Sequence, residues 1–109
     1  MGKRGDTVKA LKEQYDPIVR MRDGNRCFIC NLRADDVHEI ISKSQFATSE
    51  LSQCITPKNM VCLCRGHHSM VQGNETASVN LLQSLHEMYG YDYSDYPFSW
   101  YVERSNLKI

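Results

Sequence analysis

Four residues of the kinds that bind metals occur in this sequence as two pairs with the same internal gap. Cys27-x-x-Cys30 forms the first pair and Cys64-x-x-His67 forms the second, with residues 31–63 between them. Zinc takes four such ligands in a tetrahedron, and paired knuckles of this spacing supply two each. A fold that uses this pattern must bring two distant segments to one point, and it would hold a structural zinc ion there.

The cysteine count favours metal binding over disulfide bonding. The sequence contains five cysteines, an odd number that suits a disulfide framework poorly. The basic start MGKRGDTVKALKEQ has no apolar stretch behind it, so we expect no secretory signal and a cytoplasmic location. A disulfide-linked interaction protein is the less favoured alternative. Cys54 and Cys62 are interpreted as buried packing residues.

Two adjacent histidines leave the fourth zinc ligand open to two assignments. His67 gives the second pair a two-residue gap that matches the first pair. His68 would give a three-residue gap, which zinc sites also tolerate. The matching gap favours His67, and His68 is then free for another role.

Length and composition predict one small globular domain. The chain has 109 residues, of which 41% are hydrophobic and 24% charged. A core of this size is marginal by itself, so a metal ion adds needed stability. No apolar run approaches the roughly 20 residues that a membrane span requires.

Charge is distributed unevenly although the formal net charge is +0. Residues 1–33 contain eight Lys or Arg against four Asp or Glu, and the remainder is correspondingly acidic. A basic arm on an acidic body suits a polyanionic partner, and a solvated helix face accounts for it equally well.

Residue periodicity predicts mixed helices and strands. Helical spacing indicates a helix over 7–15, and Asp16-Pro17 is typical of the start of a second, short helix that Gly24 ends. Between residues 36 and 73 the expected order is strand, long loop with a short helix, strand, helix. Those four elements are expected near residues 36–41, 49–54, 60–64 and 67–72.

The last third of the sequence predicts a helix and an aromatic tail. Thr76 is the expected helix cap, with Val79, Leu82, Leu85 and Tyr89 on one face. The tail aromatics are expected to fold back as core or to form a dimer interface, and stacking on bases is the alternative. These aromatics are Tyr91, Tyr93, Tyr96, Phe98, Trp100 and Tyr101.

Ordered segments of the sequence resemble the HNH endonuclease family, the ββα-metal or His-Me finger nucleases with a structural zinc. RDGNRCFIC (22–30) is similar to the entry segment, VHEIISKS (37–44) to the first-histidine segment, and NMVCLCRGHH (59–68) to the asparagine, second knuckle and last histidine. The resemblance covers about residues 16–73 and implies an α+β fold, a zinc-stapled ββα-metal domain with flanking helices. The expected division is a basic N-terminal helix or arm (1–15), the zinc core (16–75) and a C-terminal helix and tail packed on the core (76–109).

The resemblance implies hydrolysis of DNA phosphodiester bonds with one divalent ion, Mg²⁺ or Mn²⁺ or another. In that family a histidine acts as general base, an asparagine orients it, and the zinc is structural. DNA is the implied partner, with no membrane association and a monomer or homodimer as the assembly. Small members commonly belong to phages or mobile elements, which implies the cytoplasm of a bacterial or phage-infected cell.

The resemblance assigns the catalytic residues with one ambiguity. His68 matches the metal-binding histidine of the helix, and Asn59 matches the orienting asparagine. His38-Glu39 stands where many members have a metal ligand followed by the base histidine. Either His38 is a ligand and Glu39 the base, or His38 is the base and Val37 occupies a ligand position that it cannot serve. Neighbours in a strand face opposite ways, so only one of the two should enter the site fully. We favour His38 as the catalytic residue, with Glu39 a supporting ligand or the base.

Two further expectations concern binding. Four arginines close in sequence to the site are expected to contact phosphates: Arg20, Arg22, Arg26 and Arg65. A non-catalytic zinc-binding module that holds DNA or a protein on the same scaffold is the alternative, and Glu39 at a usual histidine position supports it.

Overall fold

The computed structural model describes residues 3–105, so the first two residues of the predicted arm and the last four of the predicted tail lie outside it. Within this range the fold is α+β, with five α-helices and one two-stranded antiparallel sheet. The helices and strands are α1 (Lys3–Arg22), β1 (Asp36–Glu39), α2 (Leu51–Cys54), β2 (Met60–Leu63), α3 (Arg65–Val71), α4 (Glu75–Tyr89) and α5 (Phe98–Ser105). Short 3₁₀ turns lie at Lys43–Gln45, Thr48–Glu50 and Pro57–Asn59.

The sheet pairs the two strands that the sequence predicted, each slightly shorter than expected. In its register His38 lies opposite Val61 and Glu39 opposite Met60. Every residue of β2 is buried. Two strands alone are marginally stable in water, so this pair depends on the segments packed around it.

Helix α1 is continuous through Pro17, which contradicts the predicted start of a second helix at Asp16-Pro17. Proline in a helix interior removes one backbone hydrogen bond. That loss is offset by packing, because Leu11, Tyr15 and the fully buried Val19 form a helical stripe against the core. The helix therefore runs across residues 15 and 16, where the sequence placed the boundary between arm and core.

Arg22 and Asp23 attach the end of α1 to the sheet. The Arg22 guanidinium pairs with Asp23 at 2.7 Å and donates hydrogen bonds to the carbonyls of Pro57 (2.8 Å) and Met60 (2.6 Å). Asp23 in turn accepts a hydrogen bond from the backbone N–H of Cys62 at 3.0 Å. These bonds give hydrogen-bond partners to backbone groups on the outer edge of β2. Gly24, at φ +66°, then turns the chain away from the sheet.

Helices α4 and α5 complete the core. Asn74 caps α4 by accepting from the N–H of Ala77 at 3.0 Å, so the cap lies two residues before the predicted Thr76. Of the predicted apolar face, Val79, Leu82 and Leu85 are buried, but Tyr89 at the end of the helix is exposed. None of the helices described is long and apolar enough to cross a membrane.

The aromatic tail divides between core and surface. Tyr93 and Phe98 are buried with ring centroids 5.3 Å apart, as the core interpretation predicted. Tyr96 and Trp100 remain exposed.

Asn59 ties the loop between the strands to the sheet. Its fully buried side chain accepts from the N–H of Ile41 (2.8 Å) and donates to the carbonyls of Ile41 (3.1 Å) and Cys54 (2.9 Å). These bonds fix the backbone immediately after His38-Glu39 and hold α2 against it.

We expect Asn59→Ala to lower the free energy of unfolding by about 3 kcal/mol, because buried backbone groups lose their partners. Asn74→Ala is the matched control, since it removes an exposed cap worth about 1 kcal/mol. Urea titration of both variants followed by circular dichroism measures the difference. Equal losses in the two variants would contradict a structural role for the buried amide.

Candidate functional site

The four side chains predicted as zinc ligands converge. The ligand atoms of Cys27, Cys30, Cys64 and His67 all lie within 4.8 Å of one another. Zinc–sulfur bonds of about 2.3 Å give a tetrahedron with sulfur–sulfur edges of about 3.7 Å. The Sγ atoms of Cys30 and Cys64 are 3.8 Å apart, and Cys27 Sγ is 3.7 Å from His67 Nδ1. The donor set and its spacing therefore fit a structural zinc ion, with His67 rather than His68 as the fourth ligand.

A small hairpin presents the first two cysteines. Arg26 and Arg33 form an isolated antiparallel bridge, and the N–H of Cys27 donates to the carbonyl of Leu32 at 2.6 Å. Asn31 closes the turn at φ +66°, a conformation that asparagine tolerates better than most residues. The two-residue gap thus comes from a tight turn that aims both thiols to one side.

A helix start presents the second pair. Cys64 is the N-cap of α3, and its Sγ accepts from the N–H of His67 at 3.5 Å. The N-cap side chain and the third helical residue lie on the same side of the first turn, which explains the gap between Cys64 and His67. The Sγ and Nδ1 atoms of this pair are 3.3 Å apart.

The thiols have unequal proton affinities. Burial raises the pKa of Cys27, but the backbone N–H groups of Cys30, Cys64 and Ile29 outweigh burial and lower it to about 6. The pKa of Cys30 is raised: the backbone N–H of Leu32 lowers it, but burial and the adjacent Cys27 and Cys64 outweigh that effect. A bound cation relieves the repulsion between neighbouring thiolates.

The other two cysteines are packing residues, as predicted. Cys54 and Cys62 are fully buried, and burial raises their pKa values to about 12 and about 11. All five cysteines are free thiols within the chain.

His68 faces away from the cluster, towards β1. Successive helix residues are about 100° apart around the axis, so His67 and His68 point in different directions. His68 Nδ1 lies 2.9 Å from Oδ2 of Asp36. A carboxylate only accepts, so Nδ1 carries the proton and Nε2 of a neutral His68 keeps its lone pair. The hydrogen bond from His68 lowers the pKa of Asp36, with Arg65 adding to it and burial opposing it.

His38 lies against His68. Their ring centroids are 4.8 Å apart, and His38 is 8% exposed. Its Nε2 is buried and has no hydrogen-bond partner among the described residues. Burial, and then the repulsion that a protonated His68 would exert, lower the His38 pKa to about 4, so the His38 imidazole is neutral at physiological pH. A neutral, unpartnered imidazole nitrogen suits a metal ligand.

Glu39 lies on the opposite side of β1, as the strand geometry predicted. Lys12 of α1 and Lys43 each approach its carboxylate to 3.0 Å. Burial raises the Glu39 pKa, but the two lysines outweigh burial and lower it, so the carboxylate stays ionised.

The strand geometry predicted that only one of His38 and Glu39 would enter the site fully, but both line one cavity of about 450 Å³, which we call the histidine cavity. Its wall includes both imidazoles and the Glu39 carboxylate, together with the two lysines that hold it. The full lining is Lys12, Val37, His38, Glu39, Ile40, Ser42, Lys43, His68, Gln72 and Gly73.

Asn59 and the four predicted arginines are not among the residues that line this cavity. Asn59 contacts Ile41 and Cys54 rather than either histidine. Arg65 pairs with Asp36 at 3.1 Å, beside His68. Arg20 donates to Asn25 at 2.9 Å. Arg22 and Arg26 line a separate cavity of about 440 Å³ beside α4.

Three residues of the site were not found from the sequence. Asp36 precedes His38 by two residues, so alternation along a strand could have placed it on the same side. Lys12 and Lys43 carried no such signal, because their approach to Glu39 depends on how α1 and the loop pack.

Comparisons with protein-family models, with curated proteins and with solved structures found no match to this chain.

We expect Cys64→Ala to lose bound zinc, because it removes both a ligand and the N-cap of α3. Native mass spectrometry should show one zinc per wild-type chain and none in the variant. Cys62→Ala, two residues away in β2, should keep its zinc and lose only packing energy. Equal zinc content in all three proteins would contradict the assigned ligand set.

Proposed function

We propose that this protein hydrolyses phosphodiester bonds in DNA, using one divalent ion held at the histidine cavity, with a structural zinc ion at the Cys27, Cys30, Cys64 and His67 cluster. The observation that carries the proposal is the pairing of His38 and His68, two imidazoles 4.8 Å apart beside an ionised carboxylate. The zinc-type cluster supports it by fixing the helix that carries His68.

The donor chemistry of the cavity fits a divalent ion. His38 offers a buried nitrogen without a partner, and His68 offers Nε2 because Asp36 holds its Nδ1 proton. Imidazoles best suit ions such as Zn²⁺, Fe²⁺ and Ni²⁺, and Mn²⁺ or Mg²⁺ would take further oxygen ligands from water or phosphate. When bound, such an ion supplies Lewis-acid stabilisation of charge on the scissile phosphate.

The chain's own groups then have separate roles. His38 and His68 hold the ion, and Asp36 positions His68 through their hydrogen bond. Glu39 is ionised at the cavity wall and accepts the proton of the attacking water, while Lys12 and Lys43 fix its position. Of the two assignments open from the sequence, we thus propose the one with His38 as ligand and Glu39 as base.

DNA is the proposed substrate because phosphate contacts are available near the cavity. The Arg65 side chain is 74% exposed although it pairs with Asp36. Lys43 is 44% exposed on the cavity wall. Both can reach a phosphate while they keep their present partners.

A non-catalytic zinc-binding module that holds DNA is the second proposal, and one observation favours it. Within residues 3–105 the zinc-type cluster is the one group of three or more His, Cys, Asp or Glu whose ligand atoms converge. The histidine cavity then offers two imidazoles, and solvent or substrate oxygens would have to complete the ion's coordination.

Ion-dependent cleavage of supercoiled plasmid by the zinc-loaded protein distinguishes the two proposals. We expect nicked or linear product with added Mn²⁺ or Mg²⁺, and none with His68→Ala because the ion loses a ligand. Glu39→Gln should slow cleavage about 100-fold or more, since it removes the base.

His86→Ala is the matched histidine control, because His86 lies in α4 and bonds the carbonyl of Tyr91 at 2.7 Å, away from the cavity. It should cleave like the wild type. Binding of DNA without cleavage by any ion would remove the catalytic proposal and leave the binding module.

Asp36→Asn tests the positioning of His68. The variant keeps an acceptor for Nδ1 but loses the negative charge, so the ion should bind more weakly. We expect the Mn²⁺ concentration for half-maximal cleavage to rise about tenfold. Zinc content should stay the same, and an unchanged Mn²⁺ requirement would show that Asp36 has no positioning role.

A further inference from the structure

The histidine cavity does not end at β1. A second cavity of about 260 Å³ adjoins it, and the two share Ile40, Ser42 and Gly73 as lining residues. The far wall of the second cavity includes Glu75 at the start of α4 and Tyr101 of α5. The two cavities therefore lie side by side between the two histidines and the C-terminal helix, and we call this line of cavities the path.

An exposed aromatic group lies where this path ends. The ring of Trp100 contacts the ring of Tyr101 edge-on, with centroids 4.8 Å apart. Arg104 lies over the Trp100 ring at 4.3 Å from its centroid and pairs with Glu75 at 3.5 Å. Trp100 is nevertheless 43% exposed, which is uncommon for so large an apolar side chain. We call Trp100, Tyr101 and Arg104 the α5 ledge.

The charged residues that line the two cavities are two lysines and two glutamates, and two arginines outside the linings add positive charge. Lys12 and Lys43 share the single carboxylate of Glu39, and Arg104 pairs with Glu75. Arg4 adds an unneutralised charge beside the loop, because it donates to the carbonyls of Lys43 and Phe46 and to the Thr48 hydroxyl. In total, the cations are Arg4, Lys12, Lys43 and Arg104, and the carboxylates are Glu39 and Glu75.

We propose that the two cavities and the α5 ledge form one track for a single-stranded segment of DNA, with a base stacked on Trp100. This inference rests on the proposed function and names its substrate as unpaired DNA. A base must be unpaired to bring its face onto a protein ring, and such stacking is tolerant of sequence. The cavities are of a size that holds part of a small ligand, which suits one or two nucleotides rather than a duplex.

Two features of the chain make the track directly measurable. Trp100 is the single tryptophan of the sequence, so intrinsic fluorescence reports on this one ring. Tyr89 provides a matched control, because it is also an exposed aromatic under an arginine, with Arg22 at 5.1 Å from its ring centroid. Tyr89 lines the separate cavity beside α4 and lies outside the track.

The test uses zinc-loaded His68→Ala protein without added divalent ion, so that no cleavage disturbs binding. Titration with an oligothymidylate of about ten nucleotides should quench the Trp100 fluorescence in a saturable way. With a fluorescein-labelled oligonucleotide, adding Trp100→Ala should weaken binding about tenfold. Trp100→Phe should keep most of the affinity because it retains a ring, and Tyr89→Ala should bind like the parent.

The results separate the track from the proposed hydrolysis. Absence of quenching, or equal affinities of the parent and the Trp100→Ala protein at equal helix content, overturns the track. Equal or tighter binding of a duplex of the same length, insensitive to Trp100, also overturns it. Plasmid cleavage by wild-type protein is scored independently: cleavage without a Trp100 effect removes the track alone, and a Trp100 effect without cleavage removes the hydrolysis alone.

Discussion

The convergence of three thiols and one imidazole brings two distant segments of this fold to one point, where a metal ion would join them. It joins the hairpin of residues 26–33 to the first turn of α3, and the sheet lies between those two segments. Strands of four residues cannot hold each other in register in water. Because the hairpin also donates from Phe28 to the carbonyl of Cys62, a metal ion at the cluster fixes the edge of β2 as well as its end.

The sequence patterns were most successful for features that depend on residues close together in the sequence. The spacing of the cysteines follows from a tight turn and a helix cap, both local structures, and the two strands followed from their β-branched residues. The continuous α1 was not predictable, because burial of Val19 and its neighbours overrides the break that Asp16-Pro17 indicates locally. Likewise Asn74 rather than Thr76 caps α4, and both residue types suit that position.

The histidine cavity shows the same division between local and tertiary information. The sequence predicted that only one of His38 and Glu39 would enter the site fully, whereas both line the histidine cavity. It did not indicate that α1 delivers Lys12 to Glu39, nor that the loop returns Lys43 to the same carboxylate. Those contacts decide that Glu39 is ionised and held, and they arise from packing between elements distant in sequence. The aromatic tail shows the same division. The course of the chain before α5 buries Tyr93 and leaves Trp100 exposed.

One peptide bond separates His67 from His68, and this adjacency makes the two sites thermodynamically dependent. Release of His67 from the cluster would loosen the first turn of α3, and the His68 side chain would then be less well oriented. By linkage, zinc and any ligand that binds through His68 then change each other's affinity by the same factor. Zinc supply would in this way influence how tightly the histidine cavity holds its own ligand.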